Sequence, residues 1–166
     1  GVVIELLNAQ GQVIATTTTN ADGYYTFNNL APGEYGIREQ QPDGFFHQAQ
    51  KVGSGGGVVL GQDHIGEIFV GSDQHFVNYD FCEVPPGSIM GRVIVDTNGN
   101  CIIDAEKDRP LAGVVIELLN SQGQVIATTV TDLDGYYSFD NLAPGEYGVR
   151  QQQPDGFFHQ AQKVGS

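Results

Sequence analysis

The feature that most restricts the possible folds of this chain is a long internal repeat. Residues 1–54 recur as residues 113–166, which gives a period of 113 − 1 = 112 residues. The copies differ at eight positions, each conservative or near a turn: Ala9/Ser121, Thr18/Val130, Asn20/Asp132, Ala21/Leu133, Thr26/Ser138, Asn28/Asp140, Ile37/Val149 and Glu39/Gln151. This period is too long for one turn of a solenoid and fits one whole domain per repeat.

A stiff segment, Pro85-Pro86-Gly87, precedes an alternating apolar run and predicts a domain start. We therefore expect residues 1–84 to be one repeat that lacks its first strand and the polar loop that follows that strand, which is residues 96–108 in the second repeat. Residues 85–166 are expected to be a second repeat that lacks its last strands. The chain is then expected to be a segment of a longer tandem array.

Turn residues and β-formers dominate the sequence. It contains 23 Gly and 7 Pro, and its apolar runs are rich in Val, Ile, Thr, Tyr and Phe. We predict an all-β fold, an antiparallel Greek-key sandwich of the prealbumin or immunoglobulin type. The predicted strands are residues 89–95, 114–119, 125–131, 136–139 and 146–150, completed from the first copy by 65–70 and 76–81. Residues 45–57 are predicted to form a long loop.

The alternation within these runs also predicts which way side chains point. Glu117 is expected on the solvent face of its strand, with Tyr147 and Val149 inward and Leu142 filling the core. Arg38 and Arg150 follow inward-facing residues and are expected to project to solvent.

The segment 96–108 has the spacing of a loop that wraps oxygen atoms around a hard cation. Asp96, Asn98, Asn100 and Asp104 offer side-chain oxygens, and Ile102 offers its carbonyl. Cys101 replaces the usual glycine and Lys107 the usual closing acid, so that Glu106 or Asp108 must close the site. The predicted cofactor is calcium; the alternative is a polar turn in which Asn and Asp bind their own backbone.

Charge and motif content exclude several functions. The net charge is −13 with only 7 Lys and Arg, which makes nucleic acid a poor partner. No apolar run approaches the roughly 20 residues of a membrane span, so that membrane insertion is not expected. Metalloprotease, nucleophile-elbow and phosphate-loop motifs are absent from the sequence, and we do not expect an enzyme.

The ordered motifs of the second copy resemble a known family. They are Asp96-x-Asn98-x-Asn100-x-x-x-Asp104, Pro110-Leu111-Ala112-Gly113-Val114, Gly123-x-Val125-Ile126-Ala127-Thr128-Thr129 and Asp134-Gly135-Tyr136-Tyr137-x-Phe139-x-Asn141-Leu142-x-Pro144-Gly145-x-Tyr147. This order is similar to the B-type repeats of serine-aspartate-repeat (Sdr) surface adhesins and to the wider collagen-adhesin B-type, prealbumin-like family.

The resemblance implies a bacterial cell-surface or extracellular protein whose domains act as stalks or spacers stiffened by calcium. It carries over to Asp96, Asn98, Asn100 and Asp104, whereas the family usually places an acid where Lys107 stands. Some members of the family cross-link a first-strand lysine to a last-strand asparagine. Here the first strand offers Arg92, and arginine does not form that bond; Asn78 occupies a plausible acceptor region but lacks an obvious lysine.

The two cysteines, Cys82 and Cys101, both lie outside the duplicated copies. In an acidic, turn-rich surface module we expect them to form a disulfide that clamps the Pro85-Pro86 linker. Such a loop closure is worth roughly 3 kcal/mol in the chain-entropy model. The alternative is two separate buried thiols.

The function expected from these features is a structural tandem-repeat module of an extracellular fibre, stalk or filament. Its partners would be neighbouring repeats of the same or identical chains. The alternatives are an adhesin or carbohydrate-binding module that presents Phe45 and Phe46 to an unknown surface ligand, and a non-catalytic spacer of a secreted enzyme.

Overall fold

The computed structural model describes residues 1–100, 102–104 and 106–158. The chain forms two compact units that meet in sequence between Pro85 and Pro86. The regular secondary structure of these residues consists of strands, and every strand pair is antiparallel, which confirms the all-β prediction. None of these residues belongs to a helix with the length and apolarity needed to cross a bilayer.

The first unit is a sandwich of a five-stranded and a two-stranded sheet. Its strands are β1 (Val3–Asn8), β2 (Val13–Thr18), β3 (Gly33–Glu39), β4 (Phe46–Lys51), β5 (Val58–Gly61), β6 (His64–Val70) and β7 (Asp80–Val84). The large sheet has the order β2-β1-β3-β6-β5, and β4 pairs with β7. Its core consists of Ile4, Leu6, Ile37, Ile65, Ile68 and Tyr79. Most of these side chains project from one face of the large sheet, as the period of two in a strand requires.

The second unit repeats the centre of this arrangement. Its strands are β8 (Gly87–Arg92), β9 (Ile94–Val95), β10 (Arg109–Pro110), β11 (Val115–Leu119), β12 (Val125–Val130), β13 (Tyr136–Leu142) and β14 (Gly148–Gln151). A three-stranded sheet has the order β12-β11-β14, and two further pairs are β13-β8 and β10-β9. Val114, Ile116 and Leu118 pack against Phe139, with Leu142 among the partly buried residues around them, as predicted for this leucine.

Local sequence builds the same hairpin in both units. The Asn8 side chain accepts the N–H groups of Gln10 (3.0 Å) and Gln12 (2.9 Å), and Asn120 does the same for Gln122 (3.0 Å) and Gln124 (2.9 Å). Both hairpins also carry one irregularity in register at the same repeat position. An asparagine that bonds its own backbone two and four residues on specifies such a turn without help from the rest of the fold.

The prediction that Glu117 is solvent-exposed is wrong. Glu117 lies on the face opposite Ile116 and Leu118, yet only 8% of its surface is accessible. Its carboxylate accepts hydrogen bonds from Arg150 Nε (2.6 Å) and Gln152 Nε2 (2.7 Å), which cover it. These two bonds and the charge of Arg150 lower the pKa of Glu117.

The same arrangement occurs in the first unit. Glu5 accepts hydrogen bonds from Arg38 Nε (2.7 Å) and Gln40 Nε2 (2.8 Å). The bond from Gln40, with the bond and charge of Arg38, outweighs burial and lowers the pKa of Glu5. Arg38 and Arg150 therefore do not simply project to solvent, because each pairs with a glutamate directly opposite on the neighbouring strand.

Three further predictions are corrected by strand pairing. Residues 45–57 do not form one loop, because β4 lies within them and pairs with β7. The last strand of the first unit begins at Asp80, not at residue 76. Val149 is not buried, although it pairs with the core residue Leu118: 40% of its surface is exposed, whereas its counterpart Ile37, which also pairs with Ile65 of β6, is 8% exposed.

One segment has a different backbone structure in the two copies. Tyr136–Leu142 is strand β13 and pairs with β8, whereas residues 24–30 of the first copy form no strand. The side chains nevertheless pack alike: Tyr25 and Phe27 have ring centroids 6.2 Å apart, as do Tyr137 and Phe139. Side-chain packing of this segment is thus independent of whether its backbone finds a partner strand.

Candidate functional site

The predicted cation loop is closed at its base by a short strand pair. Val95 of β9 pairs with Arg109 of β10, and Ile94 pairs with Pro110. These two pairs bring the ends of residues 96–108 together, so that both limbs of the loop start from a fixed base. The loop belongs entirely to the second unit.

The first limb is a series of side-chain-to-backbone turns. Asp96 Oδ1 accepts the N–H groups of Asn98 (3.1 Å) and Gly99 (2.7 Å). Asn98 Oδ1 accepts the N–H of Asn100 (3.1 Å), and Asn100 Oδ1 accepts that of Ile102 (2.8 Å). The spacing of two residues between these side chains therefore folds the backbone by itself.

Asp108 connects the two limbs. Its Oδ1 accepts the N–H of Thr97 (3.2 Å), and its Oδ2 accepts the N–H of Asp104 (2.9 Å). Glu106 is exposed, and its backbone N–H donates to Asp104 Oδ1 (3.1 Å). Of the two acids that the sequence offers for closing the loop, Asp108 is the one that faces both limbs.

The donor chemistry of the loop suits a hard cation. The predicted ligands Asp96, Asn98, Asn100 and Asp104 all offer side-chain oxygen atoms, and a carbonyl oxygen such as Oδ1 of Asn98 or Asn100 accepts a second partner besides its N–H. Within the described part of the chain, however, the loop carboxylates form no group of three with oxygens within 4.8 Å of one another. Lys107 Nζ lies 3.4 Å from Asp104 Oδ2 and supplies a positive charge there. The loop is thus preorganised as a turn, and calcium stays a prediction.

Only one cysteine of the predicted disulfide lies within the described residues. Cys82 lies exposed on β7, and Cys101 is outside the described residues. The pairing of the two cysteines also stays a prediction.

The structure brings together a second group of ligand-type side chains that sequence reasoning missed. His47 of β4, Asp63 of the β5–β6 turn and Glu83 of β7 place one ligand atom each within 4.8 Å of the others. His47 and Glu83 are opposite one another in the β4–β7 pair. The three residues are separated by 16 and 20 positions (63 − 47 and 83 − 63). No short motif signals such a group, because only the pairing of distant strands creates it.

Burial distinguishes this group from surface acids. Asp63 is 6% exposed, and the neighbouring Glu39 is 7% exposed. Burial, followed by the negative charges of Glu83 and Asp63, raises the pKa of Glu39 to about 7. This part of the first unit therefore concentrates negative charge away from water.

Comparisons with known proteins identify relatives over most of the chain. The family model for the SdrD B-like domain matches residues 1–58 and 87–166. "Serine-aspartate repeat-containing protein F" of Staphylococcus epidermidis is 34% identical over 94% of this chain. "Serine-aspartate repeat-containing protein D" of Staphylococcus aureus strain Newman is 32% identical over 95%. The chain spans 10% and 12% of the lengths of these two relatives.

Among solved structures, "The Bacillus anthracis TIE protein" matches 95% of this chain and 26% of its own, with 18% identity and a TM-score of 0.36. That score is too low to carry a structural comparison. The family match covers both copies of the repeat and the segment that precedes the second copy. The chain therefore belongs to the SdrD B-like domain family, whose members here are extracellular or cell-surface proteins.

Proposed function

We propose that this chain is a structural repeat module of an extracellular fibre, stalk or filament, with neighbouring repeats of the same or identical chains as its partners. The observation that carries the proposal is the near-identical repeat of residues 1–54 as residues 113–166, with each copy inside its own compact unit. Each unit has its own hydrophobic core, as a repeated spacer requires. The exposed acidic surface, with a net charge of −13, keeps such an array soluble.

Three features are proposed to stiffen the array. Pro85 and Pro86 fix φ at the boundary between the units, and a Cys82–Cys101 disulfide would add a covalent restraint across that boundary. Calcium held by Asp96, Asn98, Asn100, Asp104 and the Ile102 carbonyl, with Asp108 or Glu106 as the closing acid, would cross-link the limbs of the loop. Oxygen ligation of this kind offsets the repulsion between clustered carboxylates.

Calcium is expected to bind the 166-residue chain with a dissociation constant on the order of 10⁻⁴ to 10⁻³ M, as in extracellular modules. Asp108→Asn should weaken binding at least about tenfold, because its carboxylate reaches both limbs of the loop. Glu106→Gln is the matched control and should bind calcium nearly as well as the unchanged chain. Isothermal calorimetry and the calcium dependence of the melting temperature measure both effects.

An absence of heat and of stabilisation at millimolar calcium would show that the loop is only a turn. A larger loss in Glu106→Gln than in Asp108→Asn would assign the closing role to Glu106. Asp108→Asn keeps an oxygen acceptor for the Thr97 or Asp104 N–H, so the comparison tests charge more than loop folding.

The two units are expected to hold a fixed spacing in oxidising, calcium-containing solution. Small-angle scattering of the 166-residue chain should give a narrow distribution of inter-unit distances, which broadens with reductant plus chelator. Cys82→Ser separates the effect of the disulfide from that of calcium, since it removes the disulfide and leaves the calcium loop intact. A broad distribution of inter-unit distances in oxidising, calcium-containing solution would contradict the structural proposal. It would favour a flexible tether between binding modules.

A further inference from the structure

We propose that His47, Asp63 and Glu83 form a binding site for a divalent transition metal of the zinc class in the first unit. The site is separate from the calcium loop, which lies in the second unit, and it does not depend on the proposed function. It connects the two sheets of the first unit, because His47 and Glu83 belong to the β4–β7 pair and Asp63 to the turn between strands β5 and β6 of the large sheet.

The ligand atoms are close and converge. His47 Nδ1 lies 2.5 Å from Asp63 Oδ1 and 3.7 Å from Glu83 Oε1. Tetrahedral ligands about 2.0–2.1 Å from zinc lie about 3.3 Å from one another. Both separations are therefore within about 1 Å of what a shared zinc ion requires, and side-chain rotation alone supplies that change.

The same atoms are buried without hydrogen bonds. His47 Nδ1, Asp63 Oδ1, Glu83 Oε1 and Glu39 Oε2 have no hydrogen-bond partner within the described ranges. The His47–Asp63 contact is within ion-pair distance but lacks hydrogen-bond geometry. Buried polar atoms in proteins are nearly always satisfied, and a cation at their centre would satisfy all three ligand atoms at once.

The other oxygen of each carboxylate is bound by a glutamine amide. Gln62 Nε2 donates to Asp63 Oδ2 (3.3 Å), and Gln41 Nε2 donates to Glu83 Oε2. Gln62 Nε2 also contacts Gln41 Oε1 (3.4 Å), which links the two amides. These bonds hold Asp63 Oδ1 and Glu83 Oε1 toward His47, as second-layer hydrogen bonds do for metal ligands.

Backbone features place the ligands where they are. The β4–β7 register shifts immediately after His47, and such a bulge re-aims side chains. Asp63 occupies the left-handed region at φ +58°, which costs energy for a residue other than glycine. Its carbonyl accepts the Glu39 N–H (2.9 Å), which fixes this turn against β3.

Charge favours a cation at this position. Glu39, Asp63 and Glu83 are three acids beside a single imidazole, and no Lys or Arg of the described residues forms an ion pair with them. A divalent ion offsets the cost of burying these carboxylates. Because imidazole nitrogen is a ligand for zinc-class metals and not for calcium or magnesium, the donor set selects the former.

The test is calorimetric titration of zinc chloride into the 166-residue chain carrying Cys82→Ser and Cys101→Ser, in millimolar calcium. The two serines remove thiolate ligands, and calcium competes with zinc for sites that have only oxygen ligands. One zinc per chain is expected, with a rise in melting temperature. His47→Ala should weaken binding at least about tenfold, whereas His75→Ala should not, since that side chain is 90% exposed and does not belong to the group.

X-ray absorption of the zinc-loaded chain provides the second readout and needs no ligand variant. One imidazole nitrogen and two or more carboxylate oxygens at about 2.0–2.1 Å are expected. A first shell without imidazole, no saturable binding, or equal affinity in His47→Ala would each overturn the proposal. If amide exchange shows that His47→Ala is unfolded, Glu83→Gln takes its place as the ligand variant. The new amide oxygen can still accept the hydrogen bond from Gln41, so that the fold is kept.

Discussion

Gly135→Ala is expected to destabilise the second unit by about 3 kcal/mol or more, whereas Gly23→Ala should cost the first unit only about 1–2 kcal/mol. The two glycines occupy the same repeat position and the same turn sequence, Asp-Gly-Tyr-Tyr. Both have positive φ, +77° at Gly135 and +83° at Gly23. The backbone penalty of alanine is therefore common to the two positions and cancels in the comparison.

The difference comes from what surrounds each turn. A Cβ at Gly135 would lie 2.4 Å from the Val93 carbonyl oxygen and 3.2 Å from the Leu111 backbone nitrogen, whereas a Cβ at Gly23 meets nothing within 4 Å. The Gly135 carbonyl also accepts the Val93 N–H at 2.8 Å, so the turn cannot move away without losing that bond. Backbone atoms on both sides make this clash costly.

Urea unfolding combined with amide hydrogen exchange of β13 and β1 measures the stability of each unit in the same molecule. Exchange in β13 should accelerate in Gly135→Ala while exchange in β1 is unchanged. Gly23→Ala should produce the smaller effect, confined to the first unit. Equal losses for the two variants would mean that residues 87–95 do not pack on this turn.

Ile37→Ala is expected to destabilise the first unit by about 2–4 kcal/mol, and Val149→Ala the second by less than about 1 kcal/mol. These residues again share a repeat position. Ile37 is paired with Leu6 on one side and Ile65 on the other, and it is 8% exposed. Val149 is paired with Leu118 and is 40% exposed.

Ile37→Val is the matched control, since it gives the first unit the residue that the second unit already has. It removes one methyl group and should cost about 0.5–1.5 kcal/mol. The loss of stability in Ile37→Ala minus that in Ile37→Val then measures the burial of this position by β6. The difference between isoleucine and valine no longer contributes to it. If Val149→Ala lowers the free energy of unfolding as much as Ile37→Ala does, then another segment must cover β14 in solution, as β6 covers β3.

Elements governed by near neighbours in the chain could be predicted from the sequence. The apolar alternation of residues 114–119 and the turn at Asn120 predict the β11–β12 hairpin, and the same letters give the β1–β2 hairpin. The Asp and Asn spacing of residues 96–100 predicts a loop, and its hydrogen bonds span two or three residues. In each case the atoms that stabilise the element lie within a few residues of one another, so that local sequence suffices.

Tertiary structure alone decided the features that depend on distant partners. Residues 24–30 and 136–142 are nearly identical, yet only the second segment is a strand, because only it pairs with β8. Glu117 is buried because Arg150 and Gln152 reach it from another strand, and His47 meets Asp63 and Glu83 because β4 pairs with β7. The hydrogen-bonding partners of a strand lie on a neighbouring segment, which can be anywhere in the sequence. A strand's environment, and any site built between strands, is therefore set by which segments meet.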